Sequence, residues 1–426
     1  MALRTHTKVV AATIAVTLLA VFILLNLGLG SRKIHRQIEA LYTVDDPQFV
    51  RTMGVMLGPA LVPGNRAETL LNGDRIFPAM LKAIREARKS ISFETYIYWQ
   101  GAIGKEFADA LSERARAGVK VHVLIDWVGS GKIDEAYLKQ MDRAGVAVRR
   151  YNRPHWYTFG RFNNRTHRKL LVVDGRIGFT GGVGIADIWS GNAEDADHWR
   201  DTHYRLEGPA VAQMQSAFHD NWVEVTGEVL HGVDYYPALA PAGPHYAQTF
   251  TSSPGGGGES MQLMYLASIT ASARHIRLSM SYFVPDELAV AAFVAALKRG
   301  VKVQIILPGP VTDAAVVKPA SRAAWGPLLR AGAEIYEYQP TMFHCKVMVV
   351  DDVWTSVGST NFDNRSFTIN DEANLNIYDR EFAREQIRIF EADLERSRRI
   401  TLEEWEARPW TTKLWEQTIA VFSSQL

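Results

Sequence analysis

The chain has 426 residues, 47% of them apolar, enough for two ordinary domains with a core each. Its 47 basic and 46 acidic side chains leave a net charge of +1, so overall charge gives no case for a nucleic-acid partner, and any anion site has to be local. The single cysteine, Cys345, excludes an intramolecular disulfide and a thiolate zinc cluster.

From Val9 to Gly30 the chain runs without a charge, long enough at ~1.5 Å per residue to cross a ~30 Å hydrocarbon layer. This predicts a transmembrane helix over 9–30. A cleaved signal peptide fits less well, because the apolar run is long and Gly-Ser-Arg-Lys is a poor cleavage site. Arg32, Lys33 and Arg36 after the run, against Arg4 and Lys8 before it, lean toward a single-pass protein of the inner membrane with its catalytic part cytoplasmic.

Beyond this segment the chain repeats itself. An amphipathic helix over 79–89 leads to ISFETYIYW, then RAGVKVHVLID, RAGVAVRRY and THRKLLVVDGRIGFTGG. Later, a helix before Arg277 leads to IRLSMSYFVP, then KRGVKVQIILP, RAGAEIYEY and FHCKVMVVDDVWTSVGS. Short apolar runs alternating with helical periods predict βαβ units and a largely parallel sheet, so each half reads as an α/β sandwich. The halves span 40–231 and 260–400, and the proline- and glycine-rich stretch 232–259 connects them, with part of it suited to an edge strand. The segment 401–426, with Trp405, Trp410 and Trp415, reads as amphipathic, fit either for a membrane interface or for packing on the protein. Trp156, Tyr157, Phe159 and Phe162 suit an acyl entrance and a core equally.

His167 and Lys169 stand two apart at the head of the apolar run Leu170 to Val173, so their side chains leave one face of a strand. His344 and Lys346 repeat this before Val347 to Val350. One such pair is usually just a solvated strand edge; its recurrence at matching places in a repeat points to two half-sites facing one another. Asp174 and Asp351 follow at turns, where holding backbone outweighs proton transfer. Gly181-Gly182 and Gly358-Ser359 return level with the histidines, where small side chains would let a phosphate approach backbone N–H groups, with Asn361 a further donor.

These residues resemble the paired H-x-K-x4-D-x6-G-S-x-N motifs of the phospholipase D superfamily, over motif regions of about 161–188 and 338–365. The second copy fits at His344, Lys346, Asp351, Gly358, Ser359 and Asn361, while the first departs where Gly182 replaces Ser and Gly184 replaces Asn. Glu372 looks like the family's histidine-orienting acid, and Asp201 resembles its counterpart. The text around the motifs, such as FETYIYW, WRDTHYRLEGP and GSTNFDNRSF, is most similar to the family of bacterial cardiolipin synthases.

The resemblance implies two phospholipase D-like α/β halves sharing one active site. It implies phosphatidylglycerol as both phosphatidyl donor and acceptor, with phosphatidylethanolamine as a second candidate acceptor, and a membrane as the source of both. Lys169 and Lys346 would clamp the phosphoryl oxygens. One histidine would attack phosphorus and the other protonate the leaving alcohol, with His167 favoured as nucleophile by the resemblance and the opposite assignment left open by symmetry. Asp201 and Glu372 would fix tautomer and orientation. No cofactor or metal is needed by this scheme, and the run Asp195, Asp197, His198, Asp201, His203 has no recognised ligand spacing. Hydrolysis by water uses the same residues and stays open. A nuclease of the superfamily would show a basic stripe, and a silent lipid-binding scaffold would not need both His-Lys pairs.

Overall fold

The computed structural model describes residues 2–28, 34, 36–153, 163–254, 258–314 and 316–420. Among the described residues sixteen strands join one sheet. The first eight are β1 Val62–Leu71, β2 Ser90–Thr95, β3 Lys120–Asp126, β4 Ala147–Tyr151, β5 Arg165–Thr166, β6 Leu170–Val173, β7 Ile177–Gly181 and β8 Thr202–Glu207. The others are β9 His245–Ser252, β10 His275–Met280, β11 Lys302–Pro308, β12 Glu334–Tyr338, β13 Lys346–Val350, β14 Trp354–Gly358, β15 Asn370–Tyr378 and β16 Ser397–Ile400.

Outward from the central β1–β9 pair the two arms have one order. It is β1, β8, β7, β6, β2, β3, β4 on one side and β9, β15, β14, β13, β10, β11, β12 on the other, with β16 added at the far edge. The sheet is mixed rather than largely parallel. Among the named strands of the described residues, parallel pairing is confined to β2–β3–β4, β10–β11–β12 and the short β5–β15 contact. The reason lies in the connections. Helices such as Ala102–Arg116 carry the chain back over the sheet between β2 and β3, which gives parallel neighbours. Between β6 and β7, and between β13 and β14, two residues in succession have positive φ (Asp174 and Gly175, Asp351 and Asp352). Each is a tight turn of three residues between paired Val173 and Ile177, or Val350 and Trp354, closed by the Arg176 and Val353 N–H groups on the Val173 and Val350 carbonyls, and a hairpin pairs antiparallel.

The stretch 232–259, expected as a connection with at most an edge strand, supplies β9, which lies in mid-sheet between β1 and β15. Its Ala247 and Phe250 face apolar cores while Gln248 and Thr249 are hydrogen-bonded, so both faces are buried. One core sits on the first arm around Phe93, Phe107 and Trp189, another on the second around Phe293, Trp325 and Trp354. A third unites Tyr204, Phe218 and Trp222 with Val349, Leu375 and Phe382, and so spans both arms.

A helix forms over Ala2–Gly28, but among the described residues no helix is long and apolar enough to cross a membrane. Within the expected span the described side chains are those of 9–21, all of them exposed. The remainder of the expected span, 22–30, lies outside the described side chains. The single-pass placement in the inner membrane, with its cytoplasmic catalytic part, is corrected accordingly. The C-terminal segment forms the helices Leu402–Glu406 and Trp410–Ala420. Trp405 lies against Gly326 and its Nε1 donates to the Arg322 carbonyl at 2.8 Å. Residues 421–426, and the aromatic residues of 154–162, lie outside the described residues.

Candidate active site

Each His-x-Lys pair sits at the inner end of a buried strand, β6 or β13, and its position is set by the opposite arm. The His167 N–H donates to the Asp371 carbonyl and the His344 N–H to the Arg200 carbonyl, both at 2.8 Å. Those carbonyls belong to the residues just before Glu372 and Asp201. The chain segments run parallel there, Thr166 beside Asp371 and Phe343 beside Arg200. Each acid is therefore delivered to the histidine of the other arm. His167 Nδ1 lies 2.9 and 3.0 Å from the Glu372 oxygens, and His344 Nδ1 lies 2.8 Å from Asp201 Oδ2. A carboxylate on Nδ1 takes the ring proton there and leaves Nε2 with its lone pair.

Both histidines, both lysines and both acids are buried. Burial drives the His167 pKa down to about 4, with Lys169 adding to the fall and Glu372 opposing it. His344 is also lowered, by burial and then by Lys346. Burial takes Lys169 to about 7 and lowers Lys346 as well. For Glu372, burial pushes the carboxyl up, but His167, Lys169 and Ser359 together hold it below its ordinary value; His344, Lys346 and the Thr202 N–H do the same for Asp201. At neutral pH the resting site therefore holds two neutral imidazoles against two carboxylates. Lys169, at about 7, is the group whose charge an incoming anion would complete.

The two half-sites differ in how each acid and each lysine is held. The Ser359 hydroxyl donates to Glu372 Oε2 at 2.6 Å. At the matching position a Cβ on Gly182 would stand 2.2 Å from Asp201 Oδ1, so the carboxylate fills the space a side chain would need. Trp189 replaces the serine: its Nε1 donates to Asp201 Oδ2 at 3.0 Å, and its ring packs edge-on to His344, 5.5 Å between centroids. Lys346 Nζ donates to Ser281 Oγ at 2.6 Å, and that hydroxyl donates to Asn361 Oδ1 at 2.6 Å. Lys169 instead lies over the ring of Tyr96, 5.6 Å from its centroid. Trp189, Ser281 and Tyr96 escape a reading by motif. Tyr96 and Ser281 do occupy matching positions, each five residues after the equivalent Ile91 and Ile276 of β2 and β10, a signal present in the repeat itself.

Other expected roles change. Asp174 accepts from the N–H groups of Arg88, Lys89 and Ser90, and Asp351 from those of Ala273, Arg274 and His275. They lie at the far ends of β6 and β13, so both hold backbone and neither stands with the histidines. The N–H groups of Gly182 and Ser359 donate to the Thr202 and Ala373 carbonyls, so they are sheet donors and not a phosphate cradle. Asn361 keeps its amide NH2 without a partner among the described residues. The aspartate- and histidine-rich run divides. His198 pairs with Asp195 at the surface (2.7 Å), Asp201 turns to His344, and His203 is sealed beside Gly181. Arg200, also unforeseen, makes a buried two-pronged ion pair with Asp393 (2.9 and 2.8 Å), which braces the carbonyl that holds His344.

The domain model for "Cardiolipin synthase, PLD-like domain" matches this chain twice, over residues 80–222 and 265–394. "Cardiolipin synthase 2" of Bacillus anthracis is 34% identical over 361 residues, which is 84% of this chain and 70% of that protein. "Cardiolipin synthase A" of Pseudomonas syringae pv. syringae is 35% identical over 349 residues, 81% of this chain and 72% of that one. Among solved structures, a phosphatidylserine synthase of Haemophilus influenzae superposes with a TM-score of 0.65 over 84% of this chain and 94% of its own, at 13% identity, a likeness of fold. With two domain matches in one chain and a third of the aligned residues shared with these relatives along most of their length, the chain belongs to the cardiolipin synthase family of phospholipase D-like proteins.

Proposed function

We propose that this enzyme makes cardiolipin by moving a phosphatidyl group from one phosphatidylglycerol to the terminal hydroxyl of another, with release of glycerol. The carrying observation is the crossed pair of dyads, His167–Glu372 and His344–Asp201, around two buried lysines. In this reading residues 40–231 and 260–400 are two halves of one enzyme that share this site. The stretch 232–259 joins them and 401–426 closes the chain.

A phosphodiester anion entering beside His344 lets its Nε2 take up a proton; His167 Nε2 then attacks phosphorus as the P–O bond to glycerol breaks, and His344 delivers that Nε2 proton to the departing oxygen. Lys169 and Lys346 hold the charged non-bridging oxygens, and Asn361 adds a neutral donor. The phosphatidyl group then rests on His167. His344, now neutral, takes the proton of the acceptor hydroxyl as that oxygen bonds to phosphorus and the P–N bond breaks. Asp201 and Glu372 stay ionised throughout and balance whichever imidazole is cationic.

The test is incubation of the full chain in mixed micelles with labelled phosphatidylglycerol alone, with products identified by mass. Cardiolipin and free glycerol in equal amounts are expected. Phosphatidic acid as the only lipid product would replace transfer by hydrolysis, and turnover only after addition of phosphatidylethanolamine would replace the acceptor.

A further inference from the structure

The C-terminal helix Trp410–Ala420 is turned inside out relative to an ordinary surface helix. Its charged side chains face the protein: Lys413 Nζ donates to the Glu406 carbonyl at 2.6 Å, and Glu416 is buried in an ion pair with Arg408 at 2.9 Å. Its large apolar side chains face outward, with Trp410 74%, Leu414 59% and Trp415 58% exposed. The other exposed positions of the same helix are Thr411, Gln417 and Thr418, so this face carries no charge. An amphipathic helix normally buries its apolar stripe. Here the stripe is left for an outside partner.

Its place in the fold indicates which partner. The helix packs on Val317–Ala323, and just before that support stand Val316, 51% exposed, and Asp313. Asp313 accepts from the Tyr282 hydroxyl at 2.7 Å. Tyr282 adjoins Ser281, which holds Lys346. The apolar face is thus on the flank of the catalytic cleft, separated from it by one short helix and a turn.

We infer that Trp410, Leu414 and Trp415 form an interfacial docking face for a phospholipid surface, which brings the cleft beside the layer that supplies its substrates. Two tryptophans and a leucine on a neutral face match the headgroup boundary, where an indole keeps its N–H wet and its rings in acyl chains. At eleven residues the helix is ~17 Å long, so it lies in the interface and does not span. The inference rests on the phospholipid-transfer reading, and its test does not use turnover as the first readout.

The test is hydroxyl-radical footprinting of the full chain, with and without vesicles of equimolar phosphatidylglycerol and phosphatidylcholine. Several-fold protection is expected at Trp410, Leu414 and Trp415, with none at Val55 and Val233, which are 88% and 76% exposed elsewhere. Equal labelling of the three with and without vesicles would overturn the inference. So would protection that exists without vesicles and fades on dilution, which would assign the face to a second copy of the chain. The triple variant Trp410→Gln, Leu414→Gln, Trp415→Gln should lose roughly tenfold in turnover on vesicles and keep its turnover on a monomeric short-chain phosphatidylglycerol. Equal turnover of variant and parent on vesicles would also overturn it.

Discussion

Asp201, in the first arm of the sheet, holds Nδ1 of His344, in the second, at 2.8 Å. The reciprocal contact runs from Glu372 to His167. Neither dyad can exist within one arm, so the candidate site belongs to the pair of arms.

Replacing Asp201 by Asn, or Glu372 by Gln, keeps size and removes the charge that selects the Nδ1–H tautomer. A loss of about 10²- to 10⁴-fold in kcat is expected for each, with KM little changed. Steady-state kinetics beside an unchanged circular dichroism spectrum would check it. A wild-type kcat in either variant would remove these acids from the mechanism.

Gly182→Ser restores the residue found at the matching place in the second arm, yet it should harm the enzyme. The new Cβ would meet the Asp201 carboxylate at 2.2 Å. Overpacking of this kind costs ~1–3 kcal/mol, and it also displaces the acid from His344. A lower Tm together with a lower kcat is expected.

Asp351→Ala and Asp174→Ala should destabilise without silencing. Each strips the acceptor from three backbone N–H groups, at ~1–3 kcal/mol for a buried set. Asp351 is fully buried and Asp174 is not, so Asp351→Ala should lower the urea midpoint more. At temperatures where the variants remain folded, kcat should stay within a few-fold of wild type.

In the proposed mechanism Lys169, held near 7 by burial, would set the alkaline side of activity. In the free enzyme its charge is lost as pH rises through that value, so kcat/KM should fall there. A bound phosphodiester anion restores the ammonium, so the corresponding limb of kcat should lie at higher pH. A kcat limb coincident with that of kcat/KM would contradict this assignment.

Stability should fall as pH drops from 6.5 toward 4. The unfolded chain protonates His167 near 6.5, whereas the folded chain resists until about 4. Within that window the unfolded state binds more protons and is favoured as acid is added. Urea unfolding across the window should show this slope in the parent and a shallower one in His167→Asn.

Sequence alone determined much of the chemistry. His167-x-Lys169 and His344-x-Lys346 recur in a repeat, strand alternation puts each pair on one face, and a phosphodiester demands cations and a neutral nucleophile. The same repeat showed that the chain holds two like α/β units, and their shared strand order came from the structure. Three further things were decided only in three dimensions. The dyads cross, because the short parallel contacts of Thr166 with Asp371 and of Phe343 with Arg200 join residues some 200 and 140 positions apart, a pairing no local pattern encodes. The sheet is mixed, because turn geometry at Asp174 and Asp351 overrides the parallel preference of the apolar runs. Gly182 reads as a defect in a motif until Asp201 is seen to fill its space and Trp189 to supply the missing donor; whether a small residue is a loss or a fit depends on what stands across from it.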